Sequence, residues 1–415
     1  MVNTYILARR EGFILGIGVL WPYLGRGLDL GIHNKIIGLL FLSIAALVNI
    51  MRGSLDKTNS KKLMVLFILF IIILLYSSQN QIYSIFSPGY GNYVEVKLSY
   101  FVYSVFLPTI LVAFALSNQN KKSYIYGIFD GFLLISIIGV IFVYQYREYV
   151  IFSTWRSSKE FVEMEEFSII SMSLIFTFTL MGLILPKKRN WFINSIRYLY
   201  IFLLIFLILI LGQRAHAMML FVLMCFFIYR RAGMLSVFLS FFVLSVILLY
   251  VLTIIDVSEI YDQRLFLYWS QVLEGEATNS RKILYDFAFE GIANNPFGGG
   301  LASFAVDFPG NNVYPHNDIV EAFYELGLLG GVVMTYIVFS IVYTSVKVMR
   351  PFKNFMWNTE IVLFSFLGLF MVGHDLKAGS LDAMGLMLFM WFFVPVAIKA
   401  FETKASETSH SVEAI

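Results

Sequence analysis

The chain reads as an all-α integral membrane protein, a bundle of about 12 transmembrane helices with one large loop between the ninth and the tenth. Composition is the first reason. Of 415 residues, 59% are hydrophobic and 14% charged, against roughly 25% charged in ordinary soluble domains. A single soluble core does not grow large enough to hide that much apolar surface. The second reason is arrangement. Apolar residues gather in continuous runs near the length that crosses about 30 Å of hydrocarbon, rather than alternating as barrel strands do. The third is the distribution of charge between successive connections.

The runs fall at about 6–24, 36–51, 63–78, 98–117, 124–145, 167–185, 195–212, 215–229, 233–255, 318–346, 359–374 and 383–400. Several are short, so a count of eleven also fits. The first begins beside Arg9-Arg10 and runs into Trp21, Pro22 and Tyr23 without a small-residue cleavage site. It reads as a membrane helix and not as a cleaved leader.

Charge orients the bundle. With the N-terminus inside, 19 of the 30 basic residues occupy short inner segments, for example Arg52, Lys57, Lys61 and Lys62, or Lys187, Lys188 and Arg189. The outer segments keep 11 basic residues beside about 20 of the 27 acids. That asymmetry follows the positive-inside rule and predicts both termini in the cytoplasm. The expected organisation is a nine-helix bundle over 1–255, a large outer loop over 256–317, three further helices over 318–402 and a disordered polar tail over 403–415.

The inner loops are all short, so the chemistry is expected outside. No Walker or Rossmann pattern is present, and no repeat of 20–50 residues. Cytosolic nucleotide reactions and nucleic-acid binding are not indicated. The single cysteine, Cys225, lies in an apolar run, so neither a disulfide framework nor a thiolate metal site is expected. Spacing for a transition-metal site is also missing. No cofactor is predicted.

Three places carry polar groups suited to chemistry. Arg214, in LILGQRAHAMML, stands at the outer junction of two apolar runs. Its guanidinium offers a planar fork of donors for phosphate oxygens, or it simply snorkels to water. His216 is a possible partner or a structural histidine. The second place is NSRKILYDFAFEGIANNPFGGG, residues 279–300. An amphipathic helix is predicted from Ser280 to about Ala293, with Ile283, Leu284, Phe287 and Ala288 on its apolar stripe. Arg281 and Lys282 fall in the first turn, where cations oppose the helix dipole, which favours a functional use. Asn294-Asn295-Pro296 ends the helix, and Gly298-Gly299-Gly300 reads as a flexible turn or as a weak phosphate cradle.

The third place is YPHNDIVEAFYELGLLGG, residues 314–331. Pro315 stops any preceding helix, and Asn317 or Asp318 caps a new one. His316 then stands at the water-exposed mouth of a long membrane helix. Histidine exchanges a proton near neutral pH, so it can accept one from a hydroxyl group. Asp318, Glu321 and Glu325 share one helical face. Carboxylates entering a membrane helix are costly and face a cavity or the bundle interior, unless they stay solvated at the interface. Elsewhere, Gly373-His374-Asp375 with Lys377 forms a small polar knot, and the acids between Glu160 and Glu166 read as a solvated run.

Arg214 between two membrane helices, Ser280-Arg281 followed by NNPFGGG, and His316-Asn317 followed by a carboxylate and ELGLLG together resemble the O-antigen ligase and polymerase superfamily. The resemblance is firm across about 212–331; its most specific part is the His-Asn pair followed by Gly327 and Gly330. It implies a fold of the GT-C type and metal-independent, inverting glycosyl transfer at the periplasmic face of the bacterial inner membrane. The donor would be a glycan on undecaprenyl diphosphate. By position, Arg214 and Arg281 would grip the diphosphate, and His316 would act as base on the acceptor hydroxyl or orient it. Lys282, Asn317 and Glu321 are implied as supporting substrate-binding groups; the resemblance does not assign Arg156, whose loop is well placed to help bind substrate. Implied partners are the lipid bilayer, the lipid-linked glycan, a chain-length regulator and a flippase.

Two activities compete within that superfamily. A polymerase joins lipid-linked repeat units; a ligase transfers finished polysaccharide to lipid A–core. A phosphorylated acceptor favours a basic outer surface, and the outer segments here sum to about −9, which leans toward polymerase. A polysaccharide flippase or other transporter is the alternative from another class. Transporters usually show internal repeats and broken helices near the midplane, and neither stands out.

Overall fold

The computed structural model describes residues 2–26, 31–51, 55–84, 90–117, 121–145, 169–185, 190–210, 280–309, 314–349, 359–378 and 380–412 except 382, with isolated positions 216, 219, 221 and 222. Among them the chain is helical and has no strand. The helices are α1 (Val2–Arg26), α2 (Gly31–Ile50), α3 (Lys57–Ser84), α4 (Tyr90–Tyr100), α5 (Leu107–Leu116), α6 (Lys122–Gln145), α7 (Ile169–Ile184), α8 (Trp191–Ile210), α9 (Ser280–Asn294), α10 (Ser303–Asp307), α11 (Asp318–Met349), α12 (Thr359–Ala378) and α13 (Gly385–Val412). A π-helical turn, Phe101–Phe106, joins α4 to α5 into one rod. The predicted span at 233–255 lies outside the described residues, as do 215–229 apart from those four positions and residues 256–279 and 310–313 of the large loop.

Among the described residues, five stretches are long and apolar enough to cross a membrane: Lys57–Ser77, Val94–Leu116, Lys122–Gln145, Trp191–Ile208 and Asp318–Val348. Lys35–Ile50, Ser171–Ile184 and Gly385–Phe401 are shorter apolar helices. Their outward faces remain apolar; Met64, Ile71, Leu199, Phe202, Leu329 and Phe339 are all more than half exposed. A soluble protein cannot present such faces to water, and lipid is the solvent that accepts them.

Backbone proximity organises the centre of the bundle. Gly12 and Gly16 on α1 meet Gly127 and Gly131 on α6, two four-residue small-residue spacings face to face. A Cβ on Gly12 would fall 2.0 Å from the Tyr124 carbonyl oxygen, and one on Gly127 would fall 2.1 Å from that of Arg9. Membrane helices gain little from hydrophobic segregation and associate through such close packing. Arg9 Nε donates to Asp130 Oδ2 at 2.6 Å across the same interface.

The fold departs from expectation in three places. The amphipathic helix α9 is present, but Ile283 is 58% exposed, whereas Leu284 and Ala288 are buried. The apolar stripe is Leu284, Phe287, Ala288 and Gly291, which follows the helical period; it packs on Phe304 and Tyr324. The second departure is at 318–346, read as one continuous helix, which has a non-helical residue, Gly327, inside it. Third, α13 continues to Val412 through most of the segment expected to be a disordered tail. No glycine or proline interrupts the chain between Val396 and Val412, so nothing stops the helix there.

Candidate active site

The start of α11 is built by one side chain. Asn317 Oδ1 accepts from Ile319 N at 3.0 Å and Val320 N at 3.1 Å, satisfying two N–H groups that a helix start leaves without partners. Asn317 is therefore the cap, and its oxygen is already engaged. The preceding residue, His316, has a positive φ of 56°. A non-glycine residue there costs on the order of 1–3 kcal/mol and is held only by its surroundings. The imidazole is half-buried and lies 4.2 Å from the Tyr314 ring, centroid to centroid. The helix start thus fixes His316 in a conformation it would not adopt by itself.

One turn further along, the acids face the interior. Asp318, Glu321 and Glu325 are fully buried. Lys97, at the end of α4, reaches both glutamates: its Nζ lies 2.5 Å from Glu321 Oε1 and 2.7 Å from each oxygen of Glu325. Two backbone N–H groups complete the cluster. Leu381 N donates to Glu321 Oε2 at 2.9 Å, and Ala302 N donates to Glu325 Oε2 at 2.9 Å. Buried charges survive when paired and hydrogen-bonded, and Glu321 and Glu325 meet both conditions. Glu321, expected near substrate, is occupied by protein groups on both oxygens.

Lys97 was not among the sequence candidates. Its signal was a lone cation at the edge of the 98–117 apolar run, which reads equally well as a snorkelling lysine. Only its apposition to two carboxylates 224 and 228 residues away reveals its use.

The two glycine-bearing motifs are one structure. Within an unbroken helix the carbonyls of Tyr324 and Glu325 would accept from residues 328 and 329. Gly327, at φ 64° and ψ −164°, breaks that ladder. Gly299 N then donates to Tyr324 O at 2.9 Å, Gly300 N to Glu325 O at 2.8 Å, and Leu328 N to Pro296 O at 3.0 Å. Both freed carbonyls and the Leu328 N–H thus regain partners, as buried backbone requires. The approach leaves no room for side chains. A Cβ on Gly327 would sit 2.4 Å from the Phe297 carbonyl carbon, and one on Gly298 2.4 Å from Gly327 N. Gly298-Gly299-Gly300 is thus a docked strap, and the N–H groups of Gly299 and Gly300 are spent on α11 instead of cradling phosphate.

The strap carries further attachments. Tyr76, from α3, donates its hydroxyl to Phe297 O at 2.5 Å. Tyr324 donates to Asp307 Oδ2 at 3.0 Å. Burial against its neighbours raises the Asp307 pKa above the ordinary carboxylate value, and the tyrosine hydrogen bond pulls it partly back.

Of the predicted site residues, the structure brings His316, Asn317 and Glu321 together at the start of α11. Arg281 lies in the first turn of α9, whose opposite end leads directly into the strap, and Lys282 beside it is exposed. Arg214 and Arg156 lie outside the described residues. His216 is buried with its ring 5.3 Å from that of His374 on α12, so the polar knot at 373–377 extends to the Arg214 neighbourhood in sequence.

Comparison with known proteins gives one finding with this segment at its centre. Residues 199–335 match the model of a family described as O-antigen ligase. The matched stretch contains Arg214, Arg281, the strap, His316 and the broken start of α11, and it supports placement in the O-antigen polymerase and ligase superfamily. No curated protein matches the chain.

Proposed function

We propose that this multi-pass membrane protein, whose 199–335 segment matches the model of a family described as O-antigen ligase, joins lipid-linked oligosaccharide repeat units at the periplasmic face of the inner membrane. The observation that carries the reading is His316, held at φ 56° at the capped mouth of α11, inside the matched segment. In this reading His316 takes the proton of the acceptor hydroxyl as its oxygen bonds to the donor's anomeric carbon. Undecaprenyl diphosphate leaves with the bonding electrons. Diphosphate is a good leaving group, so the protein's task is positioning and charge stabilisation. Arg281 and Arg214 would supply the charge without a metal, with Lys282 and Arg156 in support. The complete architecture would be a GT-C-like bundle of about 12 helices with both termini cytoplasmic and the large loop outside.

The second reading is ligation to lipid A–core, favoured by the description of the matching family. The acidic balance of the outer segments, about 20 acids against 11 basic residues, favours a repeat-unit acceptor over a phosphorylated core. Purified protein supplied with lipid-linked repeat units should elongate them, and His316→Ala and Arg281→Ala should each abolish elongation. Full activity in both variants overturns the catalytic assignment. Transfer to lipid A–core without elongation makes the protein a ligase, and movement of lipid-linked glycan across vesicles without bond formation makes it a transporter.

A further inference from the structure

A cavity of about 630 Å³ lies between α1, α2, the α4–α5 rod and the start of α13, on the face of α4 turned away from Lys97. Its origin is a backbone irregularity. Pro108 has no N–H for the Ser104 carbonyl four residues earlier, and the π-helical turn Phe101–Phe106 lies just before it. Such turns recur at functional sites. Gly385 closes on that carbonyl; a Cβ there would fall 2.7 Å from Ser104 O.

The cavity persists because α2 and the rod are tied at their two ends. At one end, Asn49 Nδ2 donates to the carbonyls of Phe114 at 2.5 Å and Ser117 at 2.7 Å. At the other, the Lys35 ammonium lies 3.3 Å from the Tyr100 ring centre. Val96 and Tyr103 line the space yet are 54% and 48% exposed, so the cavity opens sideways between the helices, toward lipid.

Polarity along the wall is graded. It runs from Glu95 and Ser99 down to Thr109 and Val112, about 25 Å at 1.5 Å per residue, close to the thickness of one leaflet with its headgroups. The deep wall holds Leu42, Val112 and Phe389 beside Thr109, whose hydroxyl donates to the Val105 carbonyl, and among the described lining residues the mouth carries one cation, Lys35, and one anion, Glu95. A free sugar has no use for the deep wall. A lipid diphosphate, with at least two negative charges, would meet a single cation and a repelling carboxylate among the described lining residues.

We propose that this cavity holds one zwitterionic aminophospholipid of the phosphatidylethanolamine type. Its phosphate lies at Lys35, its ammonium at Glu95, and one acyl chain runs down past Leu42 to Val112. The site is separate from the glycosyl-transfer reading and stands or falls without it. It gives the lipid a structural task, because it fills the space behind the helix from which Lys97 reaches Glu321 and Glu325.

The test uses the full chain reconstituted in nanodiscs of phosphatidylethanolamine, phosphatidylglycerol and a small fraction of undecaprenyl diphosphate. After extraction into detergent, native mass spectrometry counts and identifies retained lipid. One phosphatidylethanolamine per chain is expected, and Lys35→Gln and Glu95→Gln should each lower its retention about tenfold, the loss of one charge-assisted hydrogen bond. Val112→Trp should exclude the chain while the mouth is intact; if it does not fold, the two mouth variants decide alone. Retention of phosphatidylglycerol or the diphosphate instead, no retained lipid, or wild-type retention in both mouth variants overturns the proposal.

Discussion

Lys97 grips Glu325 from a helix 228 residues away in sequence, its ammonium 2.7 Å from both carboxylate oxygens. Glu325 in turn accepts from Ala302 N in the segment after the strap. One charge cluster therefore ties α4, α11 and the 298–302 segment together beneath His316.

Lys97→Met leaves two buried carboxylates without their cation. Removing one partner of a buried ion pair costs about 3–5 kcal/mol, so the detergent-solubilised variant should show a clearly lowered melting temperature. Adding Glu321→Gln and Glu325→Gln removes the orphaned charge and should recover part of the loss. A triple variant no more stable than Lys97→Met contradicts this account.

Gly327→Ala places a methyl group against the Phe297 carbonyl and forces a side chain into a positive φ. Backbone strain alone is worth about 1–3 kcal/mol, and the strap must also move. Protease cleavage within 295–300 should become faster in the variant. Gly373→Ala, whose Cβ would meet nothing within 4 Å, is the control and should behave as wild type.

Lys62 Nζ donates to the Trp391 carbonyl, the group that Pro395 leaves without its helical partner four residues on. The lysine replaces a missing N–H in a setting where lipid supplies none. Lys62→Met should destabilise the wild type more than it destabilises Pro395→Ala, in which the helix restores its own bond. A double-mutant cycle on melting temperature measures this coupling; additivity would refute it.

Asp307 provides a pH test outside the membrane. Its folded-state pKa is raised, so its favourable contribution is complete below the unfolded pKa and fades as pH rises through the folded value. Asp307→Asn, which can still accept from Tyr324, should match wild type at low pH. Above the carboxylate range it should be slightly more stable, seen by thermal unfolding across pH.

How much was legible differs between levels. Ten of the twelve expected spans coincide with helices because a run of apolar residues needs no partner to declare itself: backbone hydrogen bonds close locally, and lipid accepts any apolar face. The placement of His316 before a capped helix was equally local, since Pro315 and Asn317 act within a few residues. The stripe of α9 was misread at Ile283, because periodicity gives a spacing while the neighbouring helix decides which face is covered.

By itself, the sequence determined that this is a helical membrane protein, where most of its described helices lie, and that a histidine stands at the mouth of α11. Each follows from interactions within about one helical turn or from the solvent the chain demands. Only the tertiary structure decided that Gly298-Gly299-Gly300 is a strap on a broken helix and not a phosphate loop. It also decided that Glu321 and Glu325 belong to Lys97. Those relationships are pairings of backbone and charge between segments far apart in the chain, and spacing along one segment carries no information about the partner it will meet.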